Sequence, residues 1–326
     1  MHGRSPAAAP SRAWLYAAGV ALFLVWGNGF NLGSFLLGGE RAPARFDAFG
    51  LAVARFTLVS PTCLLFLLVF RRRQTLELLH RYPWRIAVAA LLCAPAYCLA
   101  LYSGQALGVP APVASLTTAL TPLFLMILAA LFLGEPLSAR KGIAFAIALS
   151  GLITIAWSRA GTGGSREAAS YGLLIALTAL APLSWSIYSV LGKPAIEATS
   201  PIDWSYLTLG LGGLPLLAML PWHGAQLAAL DGAGWGAILY QSVLGTLGGY
   251  AVWGWLLRHL PASSIGFFTF LNPPLTAISK FLLASLFPAV FVWRTNGLEI
   301  VGAALALCGM ALALARPRAV ALPVPD

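Results

Sequence analysis

Two positively charged side chains, Arg55 and Lys280, lie within long apolar stretches of the sequence. A charged group is costly at membrane depth, so such a residue indicates a functional site. The planar guanidinium of Arg55 can bind both oxygens of a carboxylate, and Lys280 would add a second positive charge. Together they predict a binding site for a small molecule that carries a carboxylate. Two other roles stay open, since Arg55 can extend from its helix end to the membrane surface and Lys280 can pair with Glu299.

Polar and aromatic side chains spaced three residues apart supply further candidates for substrate binding. Residues at this spacing share one face of a helix, and small-molecule pockets combine aromatic walls with a few polar groups. The candidates at this spacing are Asn28 and Asn31, Tyr102 and Gln105, Trp185 and Tyr188, and Tyr250 and Trp253, and Trp26 in the first stretch is a further aromatic candidate. The alternative for each is an aromatic belt at the membrane surface or a polar contact between helices.

Prolines predict a break in two of the apolar stretches, at Thr121-Pro122 and at Asn272-Pro273-Pro274. Proline removes one backbone donor and leaves a carbonyl group unpaired, which a membrane protein tolerates where that backbone lines a cavity. Matching breaks in the two halves of a transporter are typical of its transport site. We therefore add Thr121 and Asn272 to the predicted substrate site, with a purely structural kink as the alternative.

Ten apolar stretches must position these residues. With 59% hydrophobic and only 9% charged residues, the chain is neither an ordinary soluble domain nor a disordered one. About 20 apolar residues suffice to span a bilayer. The fold class predicted is an all-α integral membrane protein with ten transmembrane helices, at about 14–37, 48–70, 84–105, 111–133, 140–157, 171–192, 203–221, 233–257, 263–287 and 297–315. The first stretch is predicted to be a retained span and not a cleaved signal peptide.

The distribution of Lys and Arg predicts how the chain is oriented in the membrane. The side with both chain ends has 13 of the 20 basic residues, the other side has 5, and 2 lie within spans. By the positive-inside rule both termini are cytoplasmic, and an even number of spans in the inner (plasma) membrane follows. Because topology accounts for the basic residues, the net charge of +10 does not indicate a nucleic-acid partner.

Two pairs of prolines reveal an internal repeat. Pro110 and Pro122 are related to Pro261 and Pro273 by the same shift of 151 residues. Each half then contains five spans, and an odd number inverts the second copy, as in many secondary transporters. The predicted organisation is a cytoplasmic tail at 1–13, repeats at 14–157 and 171–315, a linker at 158–170 and a cytoplasmic tail at 316–326. A scaffold with duplicated helices is the alternative.

Ordered motifs along most of the chain carry a family resemblance. They are Leu24-Val-Trp-Gly-Asn-Gly-Phe30, Ala54-Arg55-Phe56, Leu120-Thr-Pro-Leu-Phe124, Leu131-Phe-Leu-Gly-Glu135, Trp185-Ser-Ile-Tyr188, Leu244-Gly-Thr-Leu-Gly-Gly-Tyr-Ala-Val-Trp253 and Leu271-Asn-Pro-Pro274. The sequence resembles the EamA family of the drug/metabolite transporter superfamily. The resemblance implies two inverted five-helix repeats and export of amino acids or other small metabolites without ATP. One departure is that the Gly134-Glu135 ending of the fourth span has no counterpart after the ninth.

The function predicted is export of amino acids or related carboxylates by alternating access at a central cavity between the repeats. A nucleotide-sugar or drug carrier of the same superfamily and a membrane-embedded lipid-modifying enzyme are the alternatives. The acidic residues are scattered, and phosphate-loop and His-Glu-x-x-His motifs do not occur, so we predict no enzyme, cofactor or metal. The four cysteines, in predicted spans, are expected to pack as small apolar residues. The expected partners are a small molecule and the lipid bilayer, with the protein as a monomer or homodimer.

Overall fold

The computed structural model describes the backbone of residues 10–39, 41–109, 111–160, 165–293 and 297–315. Side chains are described for these residues except 112, 113, 152, 155–160, 165–172, 175 and 299. Within this part of the chain every regular element is helical. Its α-helices are α1 (Arg12–Leu36), α2 (Ala48–Phe70), α3 (Arg72–Arg81), α4 (Pro83–Leu91), α5 (Tyr97–Ala106), α6 (Ala111–Thr117), α7 (Thr121–Leu133), α8 (Ala139–Ala160), α9 (Ser165–Ala198), α10 (Pro201–Ala218), α11 (Leu220–Ala228), α12 (Gly232–Leu239), α13 (Gly249–His259), α14 (Ala262–Ile265), α15 (Asn272–Leu286) and α16 (Gly297–Leu314).

Four short irregular segments connect pairs of these helices. A π-helical segment at Leu92–Ala96 joins α4 to α5, and another at Tyr240–Gly248 joins α12 to α13. The 3₁₀ segments Thr118–Leu120 and Gly266–Leu271 join α6 to α7 and α14 to α15. The same two kinds of interruption therefore recur in the same order in each half of the chain.

Prolines lie at three of these interruptions. Pro95 is within the first π segment, where its missing N–H removes one rung of the helical hydrogen-bond ladder. Pro122 and Pro273 lie in the first turn of α7 and α15, directly after the two 3₁₀ segments. A first-turn amide has no intrahelical partner, so proline costs little there.

Five helices, counting an interrupted helix as one, are long and apolar enough to cross a membrane: Arg12–Leu36, Ala48–Phe70, Pro83–Ala106, Ala114–Leu133 and Ala262–Leu286. A sixth is obtained if α10 and α11, which meet at 89°, form one broken span. This count applies to the described residues. The all-helical fold with several apolar helices confirms the coarse prediction from the sequence, and the number of ten crossings stays a prediction.

Helices of the two halves pack against each other across the molecule. Three helices of the first half pack on helices of the second half: α1 packs on α15, α2 on α10, and α5 on α9. One continuous cluster of buried apolar side chains fills the space between them. The halves are therefore interleaved, and residues from both can reach a common centre.

The first and last helices meet at one face of the molecule. The hydroxyl of Tyr16 in α1 donates a hydrogen bond to the carbonyl of Leu314 at the end of α16 (3.2 Å). We call this the chain-end face and the other one the opposite face. At the opposite face Arg45 donates two hydrogen bonds to the carboxylate of Asp231 (2.9 and 2.6 Å). Arg45 precedes α2 and Asp231 precedes α12, so this ion pair connects the two halves.

Small residues allow α8 and α16 to approach closely. A Cβ atom added at Gly309 would lie 2.5 Å from the carbonyl oxygen of Ala144, and one added at Gly151 would overlap the carbonyl oxygen of Gly302. Close approach at small residues is a common means of helix association in membranes. The pair is consequently intolerant of larger side chains along this seam.

We expect Gly151→Leu to separate α8 from α16 and to lower the thermal stability of the detergent-solubilised protein. Overpacking of this kind costs about 1–3 kcal/mol. The matched control is Gly142→Leu in the same helix, because a Cβ at Gly142 meets nothing within 4 Å. Equal melting temperatures for the two variants would show that the seam does not contribute to stability.

Candidate functional site

A central cavity lies between the two halves. It contains about 740 Å³ of empty space, including its opening. The first half contributes side chains from α1, α2, α5 and the start of α7, and the second half from α9, α13 and the start of α15. Three of the four irregular segments also line it, through Thr118, Thr269 and the pair Tyr240 and Gln241. Irregular backbone at membrane depth is tolerated where it borders such a cavity.

Arg55 lies on the cavity wall, and its guanidinium is held in place by one residue from each half of the chain. Its Nε donates a hydrogen bond to Thr246 Oγ1 (2.6 Å), and Nη1 donates to the hydroxyl of Tyr102 (2.7 Å). The Tyr102 hydroxyl in turn donates to Gln241 Oε1 (2.9 Å). Gln241 and Thr246 belong to the second π segment. The network therefore fixes the direction of the guanidinium across the interface between the halves.

The charge of Arg55 has no acidic partner in the described part of the protein. None of the described residues lining the cavity is Asp or Glu, and no described carboxylate forms an ion pair with Arg55. A guanidinium has five N–H donors, and the two neutral partners use only the Nε and Nη1 groups. The Nη2 group thus remains available to an anion that enters the cavity.

Aromatic rings form the largest apolar part of the wall, and Trp185 lies at their centre. Its ring centroid is 5.3 Å from that of Trp26, 4.9 Å from Tyr250 and 5.8 Å from Tyr97. The contacts with Trp26 and Tyr250 are edge-to-face, a geometry that the charge distribution of aromatic rings favours. Trp26 comes from the first half and Tyr250 from the second, so the aromatic wall also spans the interface.

Two of these aromatic residues satisfy carbonyl groups of the π segments. Trp26 Nε1 donates to the carbonyl of Gly245 (2.8 Å), and the Tyr250 hydroxyl donates to the carbonyl of Cys93 (2.6 Å). In each case the donor belongs to one half and the π segment to the other. The irregular backbone is therefore stabilised by the partner repeat.

Two buried amide side chains at the cavity have unpaired polar atoms. Gln241 Nε2 and Asn272 Oδ1 have no hydrogen-bond partner, although both residues are only 3% exposed. Asn272 Nδ2 donates to Thr118 Oγ1 (2.9 Å), which connects the start of α15 to the 3₁₀ segment of the first half. An unpaired buried donor and acceptor are costly, so both atoms are suited to pair with a bound molecule.

Seven residues that the sequence singled out lie together on the cavity wall: Trp26, Arg55, Tyr102, Thr121, Trp185, Tyr250 and Asn272. The other six do not line it: Asn28, Asn31, Gln105, Tyr188, Trp253 and Lys280. Lys280 is half-buried in α15. The side chain of Glu299, its predicted alternative partner, lies outside the described residues.

The polar residues outside the cavity connect helices. Asn31 Nδ2 donates to the carbonyl of Thr276 (2.9 Å) and to Ser279 Oγ (2.7 Å), and Ser279 donates to Asn28 Oδ1 (2.9 Å). These contacts fasten α1 to α15. Gln105 Nε2 likewise donates to the carbonyl of Phe30 in α1 (3.1 Å).

Several residues of the cavity wall were not predicted from the sequence. They are the polar or aromatic side chains of Tyr97, Thr118, Tyr240, Gln241 and Thr269. Gln241 could have been predicted, because its amide side chain within an apolar stretch is costly at membrane depth, as that of Asn272 is. Tyr97 and Tyr240 have no polar or aromatic neighbour three residues away. Thr118 and Thr269 do have one, because Thr121 and Asn272 follow them at that spacing, so the spacing rule also points to these two threonines.

We expect Tyr102→Phe to destabilise the detergent-solubilised protein by about 1–3 kcal/mol. The substitution removes the hydroxyl that connects Arg55 to Gln241, so each of these side chains loses a hydrogen-bond partner. Tyr206→Phe is the matched control, because the Tyr206 ring packs against Phe66 away from the cavity. Thermal unfolding of both variants tests this. Equal stability of the two would mean that the hydroxyl network contributes nothing.

Comparison with known proteins identifies the family. The sequence model of the EamA-like transporter family matches residues 18–157 and 171–315. A probable terminal-alkyne amino-acid exporter of Streptantibioticus cattleyicolor is 28% identical over 207 residues, which cover 63% of this chain and 64% of that protein. An uncharacterized transporter of Archaeoglobus fulgidus is 28% identical over 175 residues, or 52% of this chain and 58% of its own.

The chain thus spans less than two thirds of the length of these relatives. A crystal structure with 21% identity aligns with a TM-score of 0.67 over 93% of this chain and 97% of its own, which shows likeness of fold alone. The family matches cover most of the sequence in two successive segments. The protein therefore belongs to the EamA-like transporter family and contains two of its repeats.

Proposed function

We propose that the protein exports amino acids or related carboxylates by alternating access at the cavity between its two repeats. The observation that carries this proposal is the guanidinium of Arg55, which faces the cavity without an acidic partner among the described residues. The proposal includes ten crossings, an inverted second repeat and cytoplasmic chain ends. It is in line with the similarity to a probable terminal-alkyne amino-acid exporter.

In this mechanism the substrate carboxylate supplies the negative charge that Arg55 lacks. Thr246 and Tyr102 hold the Nε and Nη1 side of the guanidinium, which leaves Nη2 directed to the substrate. Charge-assisted bonds between a guanidinium and a carboxylate are stronger than neutral ones and fix orientation. Little reorganisation is needed on binding, because the protein holds Arg55 in advance.

The rest of an α-amino acid matches the other groups of the wall. The unpaired Asn272 Oδ1 can accept a hydrogen bond from the substrate ammonium group. The faces of Trp26, Trp185 and Tyr250 attract a cation and also offer apolar area to the side chain. We therefore assign an amino acid with an apolar or aromatic side chain to this site.

A nucleotide sugar is the second candidate within the same superfamily. Its diphosphate carries two negative charges, and phosphate groups are usually bound by several cationic groups. Arg55 is the single Lys or Arg among the described residues that line the cavity. This count favours a substrate with one carboxylate, which is why we rank the nucleotide sugar second.

The proposal is tested by counterflow of labelled amino acids in proteoliposomes that contain the protein, Arg55→Ala or Arg55→Lys. Loss of a desolvated partner of a charged group commonly costs 2–5 kcal/mol, so Arg55→Ala should reduce transport at least about thirtyfold. Arg55→Lys retains the positive charge without the planar guanidinium group, so its transport rate should lie between those of the unchanged protein and Arg55→Ala. Arg73→Gln is the control, because Arg73 is exposed in α3. Unchanged transport in Arg55→Ala would refute the carboxylate site.

The substrate class is tested with a matched pair of molecules. An aromatic amino acid should be transported, and the corresponding amine without the carboxylate should be transported at least about tenfold more slowly, because it cannot bond to Arg55. A dicarboxylate should also be a poor substrate, since its second charge would be buried unpaired. Equal rates for the amino acid and the amine would contradict the assignment.

A further inference from the structure

Glu135 forms a compact set of contacts between the repeats at the chain-end face. It follows Gly134, which ends α7 with a positive φ of 66°, a conformation that glycine adopts without strain. The carboxylate accepts hydrogen bonds from the backbone N–H groups of Ala262 (2.7 Å) and Ser263 (3.1 Å). The Ser263 hydroxyl also donates to Glu135, and Lys141 Nζ donates to Ser263 Oγ (2.6 Å).

These contacts hold the start of the interrupted helix whose middle lines the cavity. Ala262 and Ser263 open α14, and their amides have no partner within the helix. The segment continues through Gly266–Leu271 to Asn272, so Thr269 and Asn272 reach the cavity from the same element. Glu135 does not line the cavity, and its contacts with α14 connect it to this element.

Buried aromatic rings pack beside the cavity, in the elements that lead to the chain-end face. Phe268 is 1% exposed, and its ring stacks on that of Phe23 with centroids 6.5 Å apart. Trp253 is fully buried, and its indole Nε1 donates to Ser189 Oγ (3.0 Å). These rings lie toward the chain-end side of Thr269 and Tyr250 in their own helices. Phe268 belongs to the segment that continues from α14, so its ring would move together with α14.

The opposite face is connected differently. There Asp231 caps α12 by accepting from the N–H of Gly234 (2.8 Å), and the same carboxylate pairs with Arg45. The hydrogen bond from Arg45 lowers the pKa of Asp231 to about 2. A carboxyl group whose pKa is lowered on folding stabilises the folded protein above its ordinary pKa near 4, and this contribution is lost only as the pH falls toward 2. The ion pair with Arg45 therefore stays formed near neutral pH. A substitution, and not pH, is the means to release it.

The sequence repeat gives Glu135 no counterpart at the opposite face. The shift of 151 residues that relates Pro110 to Pro261 carries Glu135 onto Leu286, which has no carboxylate. After Leu286 the chain instead contacts the loop between α1 and α2, where Arg41 N donates to the carbonyl of Val290 (3.1 Å). The two faces are thus closed by chemically different contacts.

We propose that Glu135 is a positioning residue that closes the chain-end face: its contacts with α14 must break each time the cavity opens to that face. Arg45 and Asp231 have the corresponding part at the opposite face. This inference rests on the proposed alternating access and assigns the residues that set its equilibrium. Removal of either contact destabilises the state that is closed at that face. The population of the state open to the same face therefore increases.

Hydrogen exchange of the full-length protein in detergent tests the positioning role without any substrate. In Glu135→Gln the amides of 262–265 should exchange about tenfold faster, because a neutral amide replaces the charge-assisted acceptor. Exchange at 232–239 should not change. Asp231→Asn is the matched control: it should speed exchange at 232–239 and leave exchange at 262–265 unchanged. Ser263→Ala, which removes only the side-chain contact, should give a smaller effect at 262–265.

Unchanged exchange at 262–265 in Glu135→Gln, or equally faster exchange at both sites in either variant, would overturn the positioning role. The second outcome would indicate general loosening of the fold. This arm does not depend on transport and decides the role of Glu135 even if no amino acid is carried.

Transport measured from each side tests the effect on alternating access. In inside-out vesicles and intact cells, Glu135→Gln should change the ratio of the two KM values about tenfold, with the lower KM at the chain-end face, since apparent affinity follows the population of the competent state. Asp231→Asn should shift the ratio the other way. A purely structural defect would lower both rates without splitting the KM values, and that result would refute the closing role. If the wild-type protein carries no amino acid while exchange behaves as expected, the amino-acid proposal fails alone.

Discussion

The rest of the structure depends on how one buried positive charge is accommodated. Arg55 lies between apolar helices, where an unpaired charge is expensive. Among the described residues, its side-chain partners are neutral, namely the hydroxyl groups of Thr246 and Tyr102. These partners come from different repeats, so the interface must assemble correctly before the guanidinium is held. The cost of the charge is left to be offset by an anion, which is why we propose a binding site at the centre of the molecule.

A second constraint concerns the backbone. A cavity at membrane depth needs helices that bend or widen, and every carbonyl released by such an irregularity needs a partner. Here the two π segments obtain partners from opposite repeats, through Trp26 at Gly245 and Tyr250 at Cys93. The same rings form the apolar wall. One set of aromatic residues therefore stabilises the irregular backbone and shapes the cavity.

The membership of the EamA-like transporter family and the interleaved packing agree with each other. Two successive family matches correspond to two repeats, and the helices of one repeat pack mainly on those of the other around the centre. The pair α8 and α16 is different, because its small residues pack along a seam away from the cavity. This division separates a peripheral pair from the helices that surround the site.

Much of the fold could be read from the sequence, because apolar stretches and their prolines report directly on helices at membrane depth. The stretch predicted at 48–70 coincides with α2, and the breaks expected at Pro122 and Pro273 coincide with the starts of α7 and α15. The sequence also determined which residues are costly, such as Arg55 and Asn272, since that cost depends only on residue type and the apolar surroundings. It could not determine what each costly residue contacts.

Only the tertiary structure decided that Asn31 fastens α1 to α15 while Asn272 borders the cavity, because both are buried amides in apolar helices. Helical spacing tells which residues share a face, and packing decides which face meets the cavity. The same applies to Gln241 and Glu135, whose contacts join segments more than 100 residues apart in the chain. Such contacts depend on how the two repeats meet, and no local pattern in the sequence contains that information.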